Sequence, residues 1–341
     1  MIPASLQALL DETQGQRRAE WAGRELWLAN ESWGQLAVSL QGAQVLHYLP
    51  APGAAQKANG TPLPAPGAAR TSNNLPAPLS NASEDTRTHA SASNSDQSEE
   101  RLVTGGWLWV TPTPQALPGA IRGGIPLCWP WFADERSADE SADRSGPMHG
   151  PARLAEWRLD AVDPHEDGVE LHLSPIERLH SQLAPRALIQ ANARRLHVEL
   201  ITEHVGETPV KITGALHSYL AVADAFACQV EGLSGARYLD KHRQFVEDQQ
   251  LGELAVRGGL DRIYHTNAEL VLDDGQRRLR IARQSSDSAV IWHPAEEPPA
   301  DTSPEAARGF LCVESANTRL DPVWLVPGAQ HLLGTTLSRD S

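Results

Sequence analysis

Apolar and polar residues alternate with a period of two along much of the chain. Val169, Leu171 and Leu173 alternate with Glu170 and His172, and Leu196, Val198 and Leu200 alternate with His197 and Glu199. Successive side chains of an extended strand point to opposite faces, so this spacing predicts antiparallel strands with one face on a core. Asp274-Gly275 lies between the apolar runs at 269–272 and 279–281 and predicts a hairpin turn, because Gly tolerates positive φ. Residues 44–49, 102–110 and 154–159 read as further strands. Helical spacing is convincing only near the N-terminus, at Leu6, Leu9 and Leu10. The pattern predicts an all-β protein, one large antiparallel β-sandwich with few short helices and long rim loops.

The pattern fails at residues 51–100, which carry Ala, Pro, Ser, Asn and Gly with almost no aliphatic residues. LPAPGAA occurs at 49–55 and again at 63–69, and LPAP returns at 75–78. So little apolar surface cannot offset the entropy of ordering, and this predicts a disordered insertion between two strands. A shorter polar insertion is expected at about 133–147. Residues 1–341 then form one sandwich domain interrupted twice, with 40% hydrophobic content and ten Trp to build its core.

The net charge of -14 argues against nucleic acid or an anionic membrane as partner. A small anion is still allowed if cations are placed locally. Nearly all cations are Arg, with Lys only at 57, 211 and 241, and the planar guanidinium matches phosphate in a bidentate way. Cys128, Cys228 and Cys312 are odd in number and widely spaced, so no disulfide framework or zinc site is expected and they read as reduced core residues. The first residues lack the basic region of a signal peptide, and no apolar run is long enough to span a membrane. A cytoplasmic monomer is the expectation.

Five segments carry candidate chemistry. IRGGIPLCWPWF at 121–132 offers Arg122 beside a Gly pair, where a backbone could approach an anion closely; its Trp and Pro residues also suit a kinked edge strand. MHGPAR at 148–153 offers His149 and Arg153 around a Gly-Pro turn, which could equally be a capping His and a surface Arg. ALHSYL at 215–220 puts His217 and Tyr219 on one face of a strand. LDRIYH at 260–265 offers Asp261. LCVESAN at 311–317 sets Glu314 directly after an apolar run, a costly place for a carboxylate without partners or a task.

In this order the five segments resemble the hexose-6-phosphate mutarotase (glucose-6-phosphate 1-epimerase) branch of the aldose 1-epimerases. QGAQVLHYLP at 41–50, Trp292 to Pro294 and VPGAQ at 326–330 extend the resemblance from about residue 42 to 328, outside the two insertions. It implies a galactose mutarotase-like β-sandwich and exchange of the α and β anomers of a hexose 6-phosphate without metal or cofactor. His217 and Glu314 are then catalytic, with Glu314 as base on the C1 hydroxyl and His217 as acid at the ring oxygen. Arg122, His149, Arg153 and Asp261 are implied substrate contacts, the two arginines holding the phosphate. The chain departs from the usual pattern at Met148, Pro151 and His293. Two other readings stay open: a mutarotase of unphosphorylated aldoses, and a carbohydrate-binding or regulatory protein that kept the fold without the chemistry. Among other enzyme signatures, the sequence has no G-x-G-x-x-G, P-loop, H-E-x-x-H or G-x-S-x-G segment.

Overall fold

The structure, a computed structural model, describes residues 1–52, 105–295 and 297–340. The insertion expected at 51–100 lies outside the described residues, apart from 51 and 52. After helix α1 (Ala4–Asp11), strands β1 (Gly15–Trp21), β2 (Arg24–Glu31), β3 (Gly34–Ser39) and β4 (Gln44–Pro50) form a meander, each pairing antiparallel with the next. Ala22 and Gly23 link β1 to β2 with φ of 52° and 75°. Two left-handed residues between Trp21 and Arg24, which pair, make the tight turn that matches strand twist.

The next elements are β5 (Leu127–Cys128), β6 (Trp157–His165), β7 (Gly168–Pro175), β8 (Leu183–Asn192), β9 (Arg195–His204), β10 (Val210–Ile212), β11 (Gly214–Leu216) and β12 (Tyr219–Ala221). They are followed by β13 (Gln229–Glu231), β14 (Arg237–Asp240), β15 (Val246–Gln249), β16 (Leu254–Ala255), β17 (Leu260–His265) and β18 (Leu270–Asp273). The chain closes with β19 (Arg278–Gln284), β20 (Ser288–His293), α2 (Pro304–Ala307), β21 (Phe310–Asn317), β22 (Val323–Leu325) and β23 (Gln330–Arg339). A nine-stranded antiparallel sheet runs β16-β13-β18-β19-β23-β9-β8-β7-β6, and an eight-stranded one runs β15-β14-β17-β20-β21-β11-β5 with β12 also on β21. Val169, Leu171, Leu196, Val198, Leu279 and Ile281 of the first sheet pack with Leu216, Tyr264, Ile291, Leu311 and Val313 of the second in one buried core. That is the sandwich the alternation predicts, and Asp274-Gly275 does turn β18 into β19, with Gly275 at φ 78°.

Three local expectations change. Residues 105–110 make isolated bridges, Leu108 to Leu220 and Val110 to Gly123, where a strand was expected. Gly123 packs directly on this segment, where a Cβ would meet the Trp109 carbonyl oxygen at 2.4 Å. The strand expected from 154 begins at Trp157, because Leu154 first closes a turn onto Pro151. ALHSYL is two short strands, β11 and β12, separated by His217 and Ser218. The polar segment at 133–147 is a loop with one 3-10 turn, Glu135–Ser137, capped by the Asp134 carboxylate accepting from the Arg136 N–H.

Candidate active site

The eight-stranded sheet buries one face and leaves the other for chemistry. Along β21, Leu311 and Val313 point into the main core, so Cys312 and Glu314 point the other way. Ala289 and Ile291 do the same on β20, exposing Val290 and Trp292 to that second face; on β17, Asp261 and Ile263 take it. The register aligns these residues across the strands: Glu314 opposite Val290 and Val290 opposite Ile263, Cys312 opposite Trp292 and Trp292 opposite Asp261. A cleft of about 620 Å³ lies over this face, and it contains Arg122, His149, Arg153, His217, Asp261 and Glu314. All six residues singled out in the sequence are therefore brought together from five separate segments.

At its floor, His217 Nδ1 lies 3.5 Å from Glu314 Oε1, too far for a good hydrogen bond. His217 occupies the break between β11 and β12, where its N–H donates to the Pro126 carbonyl at 3.1 Å. Its ring stacks on Tyr219 at 4.8 Å and 7° and meets Trp292 edge-on at 6.2 Å. Glu314 is 1% exposed. Among the described residues neither His217 Nδ1 nor Glu314 Oε2 has a hydrogen-bond partner, so both can engage a polar ligand. Burial pushes the His217 imidazole well below its ordinary range, helped by His149, Arg153 and Arg122. It pushes the Glu314 carboxyl well above the carboxylate range, Asp261 adding to the effect and Lys241 opposing it. The pair is within ion-pair distance, yet desolvation favours neutral imidazole and protonated carboxyl, because the described residues supply neither charge with the further donors or acceptors that burial requires.

His149 has a left-handed backbone, φ 65°. Its Nδ1 accepts the Ala133 N–H at 3.2 Å, which puts the ring proton on Nε2, and burial followed by Arg153 pushes its pKa down to about 3. His149 is thus a neutral donor next to His217, the two rings edge to face at 5.4 Å. Arg153 donates to the Met148 carbonyl at 2.9 Å, while its buried Nε has no partner among the described residues. Arg122 is more engaged: its Nε donates to Asp301 at 2.6 Å and its Nη1 to the Tyr219 hydroxyl at 3.3 Å. The adjoining Gly pair does not admit a ligand. A Cβ at Gly123 or Gly124 would collide with the Trp109 or Val45 carbonyl oxygen, so the close approach is to the protein's own backbone.

Several residues in and beside the cleft were not singled out in the sequence. Asp301 comes from a Pro-rich loop, and Lys241, which donates to Asp261 at 2.7 Å, follows β14. With only three Lys in the chain, its rarity was the available clue. Arg319 lies over the Phe245 ring at 4.2 Å on the same rim. Among the described residues, His217, Cys312 and Glu314 offer donor atoms within 4.8 Å of one another. Burial pushes the Cys312 thiol well up among Trp109, Tyr219 and Phe310, so it reads as a core residue and a poor thiolate ligand. A wider groove of about 760 Å³ runs past Trp131, His180, Lys211 and Trp324. Its Lys211 is paired with Glu140, and it lacks the unpartnered buried acid/base groups of the cleft.

Residues 99–338 match the aldose 1-epimerase family. A protein of Escherichia coli named putative glucose-6-phosphate 1-epimerase is 30% identical over 223 residues, 61% of this chain and 72% of that one. A Salmonella typhimurium protein of the same name is 31% identical over 227 residues, 61% and 71% of the two chains. The crystal structure of a putative mutarotase from Salmonella typhimurium superposes with a TM-score of 0.73 at 20% identity, covering 98% of this chain and 100% of that one. A galactose mutarotase-like protein from Clostridium acetobutylicum shares the fold at a TM-score of 0.61 and 10% identity, covering 96% and 98%. Among the described residues no helix is long and apolar enough to cross a membrane. The chain belongs to the aldose 1-epimerase family and is an epimerase of the isomerase class.

Proposed function

We propose that the protein interconverts the α and β anomers of a hexose 6-phosphate, glucose 6-phosphate first among them, with His217 and Glu314 as the acid/base pair. The observation that carries this reading is the buried pair itself, 3.5 Å apart and with Nδ1 and Oε2 unpartnered, beside two arginines. Ring opening starts with Glu314 as carboxylate and His217 as imidazolium. Glu314 takes the C1 hydroxyl proton, the C1–O5 bond breaks as C1=O forms, and His217 protonates O5. The pair is then neutral imidazole and protonated carboxyl, the state that burial favours. Rotation about C1–C2 presents the other face of the aldehyde. His217 recovers the proton from the 5-hydroxyl as O5 attacks C1, and Glu314 returns its own to the new C1 oxygen. One proton held by the pair suffices, and the low-dielectric floor favours the step that discharges it.

The 6-phosphate sits at the arginine end, with Arg153 the less engaged cation and Arg122 shared with Asp301 and Tyr219. Holding that non-reacting group fixes C1 between the pair. The names of the curated relatives support the same substrate. The engagement of Arg122 by Asp301 favours a second reading, an unphosphorylated aldose. Exchange NMR on glucose 6-phosphate and on glucose separates them. Faster exchange on the phosphate ester, lost in His217→Ala and in Glu314→Gln with the fold retained, is the expected result. Equal efficiency on both sugars refutes the phosphate assignment, and a variant with full activity removes its residue from the mechanism.

A further inference from the structure

Lys241 is placed by register. β14 pairs with β17 through Asp240 opposite Arg262 and Leu239 opposite Ile263. Continuing by one residue sets Lys241 opposite Asp261, and its ammonium reaches Asp261 Oδ2 at 2.7 Å. Both side chains line the cleft that Glu314 also lines, Asp261 lying two cross-strand steps from Cys312 by way of Trp292. Two carboxylates of different strands, Glu314 and Asp261, thus line one cleft. Like charges so placed cannot both be negative without loss. We propose that Lys241 is a positioning residue for the reaction: it neutralises Asp261 and holds that carboxylate to the rim, so that Glu314 can act as an anion at the C1 hydroxyl. This rests on the proposed function for its catalytic meaning, while the charge coupling stands on the geometry.

Every charged or titratable group facing Glu314 bears on the test. His217 and Tyr219 face it from the β11–β12 segment, Cys128 from β5, Cys312 from its own strand, Asp261 from β17, and Lys241 from the turn after β14. Arg122 and Arg153 act on His217 from across the cleft. Among these, Asp261 acts on Glu314 against its ionisation and Lys241 in favour. Removing Lys241 therefore moves Glu314 ionisation to higher pH, and removing Asp261 moves it to lower pH.

Carbon-13 NMR of carboxyl-labelled glutamate in the full-length protein reads this directly, the Glu314 signal being the one lost in Glu314→Gln. Lys241→Met should raise the titration midpoint by about one pH unit, the size of a nearby charge in a partly screened cleft. Lys241→Arg should leave it in place, and Asp261→Asn should lower it. Adding Lys241→Met to Asp261→Asn should raise it by less than Lys241→Met does alone, because only the direct field of the ammonium on Glu314 is then removed. The acidic limb of kcat/KM for anomer exchange should follow the same order. An unmoved midpoint in Lys241→Met overturns the proposal, as does an equal shift with and without Asp261. Wild-type protein that exchanges no anomers while its Glu314 midpoint still follows Lys241 overturns the proposed reaction and leaves the charge coupling standing.

Discussion

Glu314→Gln should abolish turnover and stabilise the fold by an amount that grows with pH. The Glu314 side chain is 1% exposed, and its Oε2 has no hydrogen-bond partner among the described residues. Burial first, then Asp261, pushes its carboxyl well above the ordinary range. In the unfolded chain the same group ionises near pH 4.3. A folded-state pKa above the unfolded one gives a contribution that is complete below the unfolded pKa and is lost as pH rises toward the folded pKa. Across that window wild-type stability falls by up to about 1.4 kcal/mol per pH unit, and glutamine, which does not ionise, escapes the loss. Two pH units into the window the variant would lead by at most about 2.7 kcal/mol, a sizeable part of the 5–15 kcal/mol typical of a domain. His149 and His217 are pushed down instead, so their contributions are lost as pH falls below about 6.5, but both proteins contain them. Urea denaturation of both proteins at pH 5, 6, 7 and 8 reads the difference. A gap that stays flat with pH, or a wild type more stable throughout, would refute the reasoning that this carboxyl is held protonated by burial.

Gly150→Ala should lower both stability and activity. Gly150 has φ 75°, its Cβ would overlap the Trp129 carbonyl oxygen, and it follows the site residue His149; a loss of roughly 1–3 kcal/mol follows from the left-handed backbone alone, and an unchanged melting temperature would show that the loop can relax. Arg122→Met should cost about 3 kcal/mol in chemical denaturation, because it leaves Asp301, whose side chain is 7% exposed, without its cation. Adding Asp301→Asn should recover much of that stability but not the exchange rate on glucose 6-phosphate; recovered exchange would remove Arg122 from substrate binding.

Much of the site was legible because its chemistry is carried by short ordered segments, each holding one or two unusual residues. Glu314 after an apolar run, Arg122 before a Gly pair and His217 within an apolar stretch are visible one at a time, and their order along the chain pointed to one family. What each does next to the others was not visible. The Gly pair illustrates the limit: the sequence shows freedom of the backbone, while the structure shows that the freedom is spent on packing against Val45 and Trp109. Asp301, which holds Arg122, lies in a loop whose local sequence carries no sign of a partner 179 residues away.

By itself the sequence determined the all-β class, the hairpin at Asp274-Gly275 and which face is apolar in strands such as β7 and β9, because these depend on residues close together in the chain. Pairing, register and charge environment depend on residues far apart in the chain, and only the tertiary structure decided them. It set Glu314 against His217 at 3.5 Å, made His149 a neutral donor and put Lys241 on Asp261. The physical reason is that a side chain's chemistry follows its solvation and the charges around it, and both are fixed by packing between sheets and across strands.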